Sequence, residues 1–421
     1  MATVAVTIKR VTKRLWFRAT LYCVVGIVTA LIGVVVGPWL PPEFTRKLGA
    51  DAVGSILTIL ASSMLAVTTF SLSTLVSAAS AAANGATPRA TGLLLEDKTA
   101  QTALSTFLGS FLFSLVGIIA LNTGLYGEGG RLVLFVVTLG VVTLIVTTLL
   151  RWIDHLGRMG RLGETIHRVS QSCEQTMKAY ARNPLLGGQA FTVVPPGAIA
   201  VHHHQTGYVQ GLNMASLSAV ANASDADIYV ALRPGAFCEP TRPIAYLVFH
   251  TTGATLKDSI TERMCQAFDI GEERLFDEDP RFGLIVMCEI GSRALSAAIN
   301  DSGTAIRVVS NMVSLLQPLA CTEPRSANVL PGVFIRPIEV QDFFEDAFLP
   351  LIRDGAGLLE VGIRLQKTFC VLANSTNRDV AQAAVSFARS SLSRGQAALA
   401  FEDDRQRLQR EADWMNSLER T

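Results

Sequence analysis

Charge is the scarce commodity in this chain. Only 17 % of its 421 residues are Asp, Glu, Lys or Arg, against about a quarter in soluble domains, while 49 % are hydrophobic and mean hydropathy is +0.37. The shortage is concentrated at one end: Ala19–Pro42, Ala52–Pro88, Thr99–Gly127 and Leu132–Leu150 contain no acidic or basic residue. After Arg151 charges return at ordinary density, so a membrane region precedes a polar one. Cysteine is also sparse. The seven (Cys23, Cys173, Cys238, Cys265, Cys288, Cys321, Cys370) form no C-x-x-C pair, which speaks against a zinc site or a disulfide framework and for reduced core thiols. There is no Walker loop, nucleophile elbow, H-E-x-x-H pair or dinucleotide fingerprint. No catalytic residue, metal or cofactor is therefore assigned. A net charge of +1, with no basic run beyond the N-terminus, gives no sign of a nucleic-acid partner.

The four apolar segments each suit a membrane span. About twenty residues at 1.5 Å rise cross a hydrocarbon core of about 30 Å. The segments run near Trp16–Gly37, Ala52–Ala83, Leu104–Leu125 and Leu132–Trp152. The first is too long for a signal-peptide core and lacks a small-residue cleavage site. Trp16, Trp39, Tyr126 and Trp152 stand where interfacial aromatics belong. Lys9, Arg10, Lys13, Arg14 and Arg18 precede the first span, and Arg151, Arg158, Arg161 and Arg168 follow the last. Positive charge on both flanks predicts both termini in the cytoplasm of a bacterial inner-membrane protein. The expected organisation is a basic N-terminus (1–15), a four-helix transmembrane domain (16–152), a helical stalk (153–183), a small β domain (184–253) and a mainly helical cytoplasmic domain (254–421). The fold class is thus an α-helical polytopic membrane domain followed by an α+β cytoplasmic domain, with a small β-barrel or sandwich and a helical bundle.

The second segment is too long for the hydrocarbon core if it forms one helix. It is rich in hydroxyls, of which Ser62, Thr69, Ser73 and Ser77, with Ser55 and Ser80, fall near one stripe. Two readings fit. Small residues let helices approach closely, and hydroxyls can also wall a water-filled path between protomers of a homo-oligomer. No span carries a charged residue or histidine at its centre, which disfavours an ion-coupled carrier.

Three stretches carry a resemblance. The first is Ala86-Thr87-Pro88-Arg89, then Leu93 to Gln101, then Phe107-Leu108-Gly109-Ser110-Phe111. The second is Phe276-Asp277-Glu278-Asp279-Pro280-Arg281-Phe282-Gly283, followed by Arg293-Ala294-Leu295-Ser296-Ala297-Ala298-Ile299-Asn300-Asp301. The third is Asp346-Ala347-Phe348 with Ile352-Arg353-x-Gly355. Together they resemble a family of bacterial predicted membrane proteins known as domain of unknown function 2254, which writes the second stretch F-D-x-D-P-x-F-G and R-A-L-S-P-A-I-N-D-P-x-T-A. Ala297 departs from its Pro, and Ser302-Gly303 from its Pro-x. The resemblance implies architecture and no activity.

Arg89, Asp97 and Gln101 lie at the cytoplasmic mouth, as a helix cap with an interfacial anchor or as a latch between the spans and the polar half. In that half, strands are expected at Ile199–His203, Gly207–Leu212, Ile228–Leu232 and Ile244–Phe249, and at Val333–Ile338. Helices are expected from Leu256 onward, including Phe282–Ile299, Val380–Leu392 and Gly395–Ser417. Asp301 stands at an N-cap position. Asp277, Asp279, Arg293 and Asn300 complete the soluble motif, as a carboxylate–arginine packing network or a ligand site, with Glu289 and Arg293 spaced to pair. His202 and His204 share a strand face and His203 points away, so at most two could share an ion. The functional reading is a homo-oligomeric, channel-like or transport-related protein in the lipid bilayer, regulated by its cytoplasmic domain. A non-conducting sensor or scaffold is the alternative, and a membrane-associated enzyme the third.

Overall fold

The computed structural model describes residues 50–95, 97–123, 128–251, 253–321 and 329–418. Of the first apolar segment it describes only Thr20, Leu21, Val24, Val25, Val28 and Ile32, so that expected span, the basic N-terminus and Thr421 lie outside the described residues. The chain divides into two compact units, Met1–Thr165 and Ile166–Thr421.

The first unit is helical. Helix α1 (Ala50–Gly85) is followed by a 3-10 turn at Pro88–Ala90, then α2 (Thr91–Leu95), α3 (Lys98–Asn122) and α4 (Glu128–Leu156). Among the described residues three helices are long and apolar enough to cross a membrane, Ala52–Gly85, Lys98–Asn122 and Gly129–Leu156. The 36 residues of α1 run unbroken, roughly 54 Å at the usual rise. Helix α3 is the most enclosed, with 56 % of its most apolar window buried against 22 % and 17 % in α1 and α4. Its buried face combines Leu104, Phe107 and Phe113 with small residues, among them Gly109, Ser110, Ser114, Gly117 and Ala120, which let backbones approach without a hydrophobic driving force. A Cβ on Gly117 would lie 2.9 Å from Leu57 Cδ1. Trp152, expected at the interface, is instead 1 % exposed, because its indole Nε1–H donates to Ser71 Oγ at 2.9 Å and so satisfies the ring's one polar group inside the bundle.

The second unit is mixed. Helix α5 (Leu162–Arg182) leads into it. Its stripe Ile166, Val169, Cys173 and Met177 is buried, so from Ile166 onward it packs as a core helix of the second unit. A five-stranded sheet has the order β1 (Gln189–Ala190), β8 (Val333–Ile335), β4 (Ala226–Val230), β6 (Pro243–Phe249), β2 (Ile199–His202), with β8 parallel to both β1 and β4 and the other pairs antiparallel. A three-stranded antiparallel sheet has the order β5 (Phe237–Cys238), β3 (Gly207–Leu212), β7 (Phe268–Gly271). Helices α6 (Met214–Ser224) and α7 (Asp258–Cys265) share the sheets' core, which holds Val201, Leu217, Ile228, Leu247, Met264 and Ile335. The sheets therefore draw strands from beyond residue 253, and the parallel pairs through β8 depart from the barrel or sandwich read from 184–253. Partners more than eighty residues apart leave no trace in local periodicity.

The remaining helices are α8 (Phe282–Ala294), α9 (Ser302–Cys321), α10 (Val340–Asp354), α11 (Leu359–Ala373), α12 (Arg378–Ala398), α13 (Glu402–Ala412) and α14 (Trp414–Leu418). Phe343, Phe344, Phe348 and Phe369 are fully buried among them. Gly395, read as the start of a separate helix, lies inside α12, where it serves close packing: a Cβ there would meet Leu408 Cδ2 at 2.4 Å.

Candidate functional site

The hydroxyl stripe faces outward. Ser62, Thr69, Ser73 and Ser77, with Ser55 and Ser80, are exposed, whereas Val53, Leu57, Leu60, Met64, Leu75 and Ala82 are buried. At 3.6 residues per turn these two sets lie on opposite sides of α1. Exposed Leu65, Leu72 and Val76 flank the stripe on one side and Phe70 on the other. Ser62 Oγ donates to the carbonyls of Thr58 and Ile59, and Thr69 Oγ1 to those of Leu65 and Ala66. Such back-bonding satisfies a hydroxyl in an apolar setting.

At the other expected site Asp97 caps α3, its Oδ1 accepting from Ala100 N–H at 2.7 Å. The same oxygen lies 3.0 Å from His155 Nε2 on α4. His155 Nε2 meets no hydrogen-bond geometry there, so the approach is a close polar contact between α3 and α4. His155 also packs 5.7 Å from the Trp152 ring. Sequence reading missed His155; its place one turn after Trp152 is the only hint. Arg89 is exposed, in the turn capped by the Thr87 hydroxyl, and Gln101 is half-buried in the first turn of α3.

The soluble motif separates into two places. Around the N-terminus of α8, Asp279 is 4 % exposed. It receives Nε and Nη2 of Arg274 at 2.7 and 2.6 Å and the backbone N–H groups of Arg281 and Phe282 at 3.0 and 3.2 Å. Burial pushes its pKa up, and Arg274 opposes that. Arg281 reaches Asp346 through Nε at 2.5 Å and Nη2 at 3.1 Å, and Asp342 at 3.3 Å. The second and third matching stretches thus meet in one ion-paired joint between α8 and α10. Phe276 accepts from Thr176 Oγ1 on α5 at 2.6 Å. Gly283 lets α8 touch α5, since a Cβ would lie 2.5 Å from Cys173 Cβ. Gly235, at φ +89°, takes a left-handed turn that closes on Asp279, whose Oδ2 a Cβ there would meet at 2.1 Å. Asp277 is exposed and outside this network.

Past the far end of α8, Asn300 adopts φ +51°, a left-handed conformation that Asn tolerates. Asp301 then caps α9, accepting from Thr304 N–H at 2.9 Å and Thr304 Oγ1 at 2.6 Å. These bonds hold its carboxyl below the ordinary carboxylate value. Thirteen residues of helix, roughly 20 Å, part this cap from Asp279. Arg293 is exposed at the end of α8, and the buried arginine partners are Arg274 and Arg281 instead.

His203 is buried and stacked on His204 at 4.7 Å, its Nδ1 accepting from Gln205 N–H, while His202 and His204 are exposed. Burial lowers the His203 pKa. Among the described residues no three His, Cys, Asp or Glu side chains are grouped to hold a metal ion. Cys173, Cys238, Cys265 and Cys288 are buried free thiols, and burial pushes Cys288 up to about 12.

A family described as "Predicted membrane protein (DUF2254)" matches residues 12–370. The chain belongs to it. Relatives include uncharacterized proteins of Mycobacterium bovis (Mb1321c) and Mycobacterium tuberculosis (Rv1290c), each 25 % identical over 303 residues, covering 70 % of this chain. The chain spans 57 % of the length of those relatives. No solved structure matches. Within this DUF2254 chain Asp279, Arg281 and Gly283 of the family-like stretch take part in charge pairing and close packing. Arg274 was invisible to motif reading because it lies outside the stretch, and the pairing of Arg281 with Asp346 spans 65 residues.

Proposed function

We propose that this predicted membrane protein is a homo-oligomer in the bacterial inner membrane, with four spans and both termini cytoplasmic. The hydroxyl stripe of α1 faces a neighbouring protomer and lines or flanks a path that the cytoplasmic unit regulates. The observation that carries this reading is the position of the stripe: it occupies the middle of α1's outward face, opposite the side packed on α3 and α4. Lipid would be met equally well by Leu or Val there, so the hydroxyls call for another occupant. A passage is easier to build between such protomers than within one. The Asp97–His155 contact, next to the Trp152–Ser71 bond, joins α3 and α4 and would be where a latch acts on the spans. One observation favours a non-conducting alternative: Ser62 and Thr69 are satisfied by their own helix, which suits a dry helix–helix contact in a scaffold.

Cysteine accessibility separates the two. After replacement of Cys23 and Cys321, single cysteines at Ser62, Thr69, Ser73 and Ser77 should react with a small membrane-impermeant thiol reagent, and those at Leu65 and Leu72 should not. Ser73→Leu should change ion flux in liposomes. Uniform protection of the stripe with no flux, and loss of the oligomer on Ser73→Leu, would assign the stripe to packing alone.

A further inference from the structure

The outer face of the five-stranded sheet carries a row of aromatic residues that the membrane reading does not use. Strand pairing sets Ala200 beside Tyr246, Tyr246 beside Tyr229 and Tyr229 beside Phe334, and directly opposed residues share one face of a sheet. Phe334 stacks on Tyr229 at 4.7 Å and 11°, and Phe191 meets Tyr229 edge-on at 5.3 Å. Tyr246, half-buried, ends the row. Beside it opens a cleft of about 220 Å³ lined by Phe191, Val194, Arg242, Pro243, Tyr246 and Arg336.

The two arginines set this cleft apart. Arg274 and Arg281 are matched to carboxylates at 2.5–2.7 Å. Among the described residues no carboxylate lies within 4.0 Å of Arg242 or Arg336. Their positions are nonetheless built. The Arg336 guanidinium lies over the Phe191 ring, 5.2 Å from its centre. Its backbone carbonyl is gripped by Arg233 Nη1, while Arg233 Nη2 holds the Pro184 carbonyl at 2.7 Å. Arg242 stands at the end of a turn closed by its own N–H to the Glu239 carbonyl at 3.0 Å.

We propose that this cleft is a ligand site for a nucleoside monophosphate. The base lies along Tyr246 and the edge of Phe191, and the phosphate is held between Arg242 and Arg336. Each element of that assignment has a physical reason. An aromatic wall stacks any base through its π-face. Two arginines lining one cleft suit a group of charge −1.5 to −2 with several acceptor oxygens better than a monoanion. At about 220 Å³ the cleft is below the roughly 300–1,000 Å³ of ordinary small-molecule pockets, so it encloses part of one nucleotide, leaves the rest at its open mouth, and has no place for a second. The site lies wholly within Ile166–Thr421 and does not depend on whether the membrane unit conducts.

The test is calorimetric titration of the full chain in phosphatidylcholine nanodiscs with AMP, adenosine, inorganic phosphate and a single-stranded RNA oligonucleotide. AMP should bind saturably, with adenosine and phosphate each at least about tenfold weaker, because either half forfeits contacts of a kind that carry a factor of ten or more. Arg242→Gln and Arg336→Gln should each weaken AMP about tenfold, and Tyr246→Leu about fivefold or more. Both arginines are exposed, so their variants should melt with the parent. Lysine at either position should recover part of the affinity by restoring charge without the guanidinium fork. Absence of saturable AMP binding at millimolar concentration would overturn the assignment, as would unchanged affinity in the double glutamine variant. Equal affinity for AMP and phosphate would remove the base from it, and RNA binding tighter than AMP with a site of several nucleotides would replace it with a different surface.

Discussion

Asp301 and Asp279 are both helix-capping carboxylates of the family-like stretch, and their environments push them in opposite directions. Asp301 is stabilised as the anion by the Thr304 hydroxyl and N–H, so its folded pKa lies below the ordinary value of 3.8. A depressed carboxylate contributes stability that is present above the unfolded pKa and is lost as pH falls through the folded one. Asp301→Ala should therefore cost about 1 kcal/mol at neutral pH. The gap to the parent should narrow below about pH 4 and close once the folded-state acid is protonated. Denaturant unfolding of a fragment beginning at Leu162, which keeps α5, measures this, and a gap constant with pH would assign the loss to something other than the carboxylate. Asp279 runs the other way: burial raises it, so its contribution falls as pH climbs from the ordinary value to the raised one. Removing Arg274 would leave that buried charge without its partner, the costly half of any buried ion pair.

At the scale of elements, α8 is the helix on which the second unit is assembled. Its N-terminus is tied to α10 by Arg281, its side is pressed on α5 at Gly283, and its C-terminus passes through Asn300 to the cap of α9. Gly283→Ala should be among the more damaging small substitutions, since the new methyl would meet Cys173 Cβ, Sγ and Cα at 2.5, 2.7 and 2.9 Å and α5 cannot yield its backbone cheaply. Overpacking of this kind costs about 1–3 kcal/mol, more than the helix-propensity gain of roughly 1 kcal/mol that alanine brings. Gly357→Ala, with nothing within 4 Å of its Cβ, should change stability by less than about 0.5 kcal/mol. Thermal melts of the two variants side by side decide it, and equal melting temperatures would mean that α5 and α8 are not in contact in solution.

At the scale of the whole molecule the question is orientation across the membrane. Lys and Arg cluster before Trp16 and after Leu150, and the connection from Thr123 to Arg131 holds Glu128 with a single basic residue. In the topology proposed above, the positive-inside rule puts that connection on the periplasmic side and Arg161 on the cytoplasmic side. Alkaline phosphatase fused after Gly127 should be active and the same reporter after Arg161 inactive, with the reverse pattern for a cytoplasmic fluorescent reporter. Activity after Arg161 would overturn the four-span arrangement and with it the cytoplasmic regulation proposed for the second unit.

The sequence by itself determined what depends on neighbours along the chain. The runs without charge between Ala52 and Leu150 declare apolar helices. Short apolar runs punctuated by Gly and Pro give the strands near Ile199, Gly207, Ile228 and Ile244, and Asp301 and Asp97 stand where caps belong. Membership in a membrane-protein family was legible in the stretches around Pro88, Asp279 and Asp346. What only the tertiary structure decided is which distant residues meet. Val333–Ile335 slots between β1 and β4, Arg281 finds Asp346, and Trp152 turns inward to Ser71. The hydroxyl stripe proves to be the face α1 leaves outward, which periodicity could draw but not orient. Gly395 reads as the start of a helix and Gly283 as part of one, yet at both the lack of a side chain serves helix contacts that local sequence does not contain. The aromatic and arginine residues of the cleft come from three separate segments, and none of them forms a motif until the sheet sets its register.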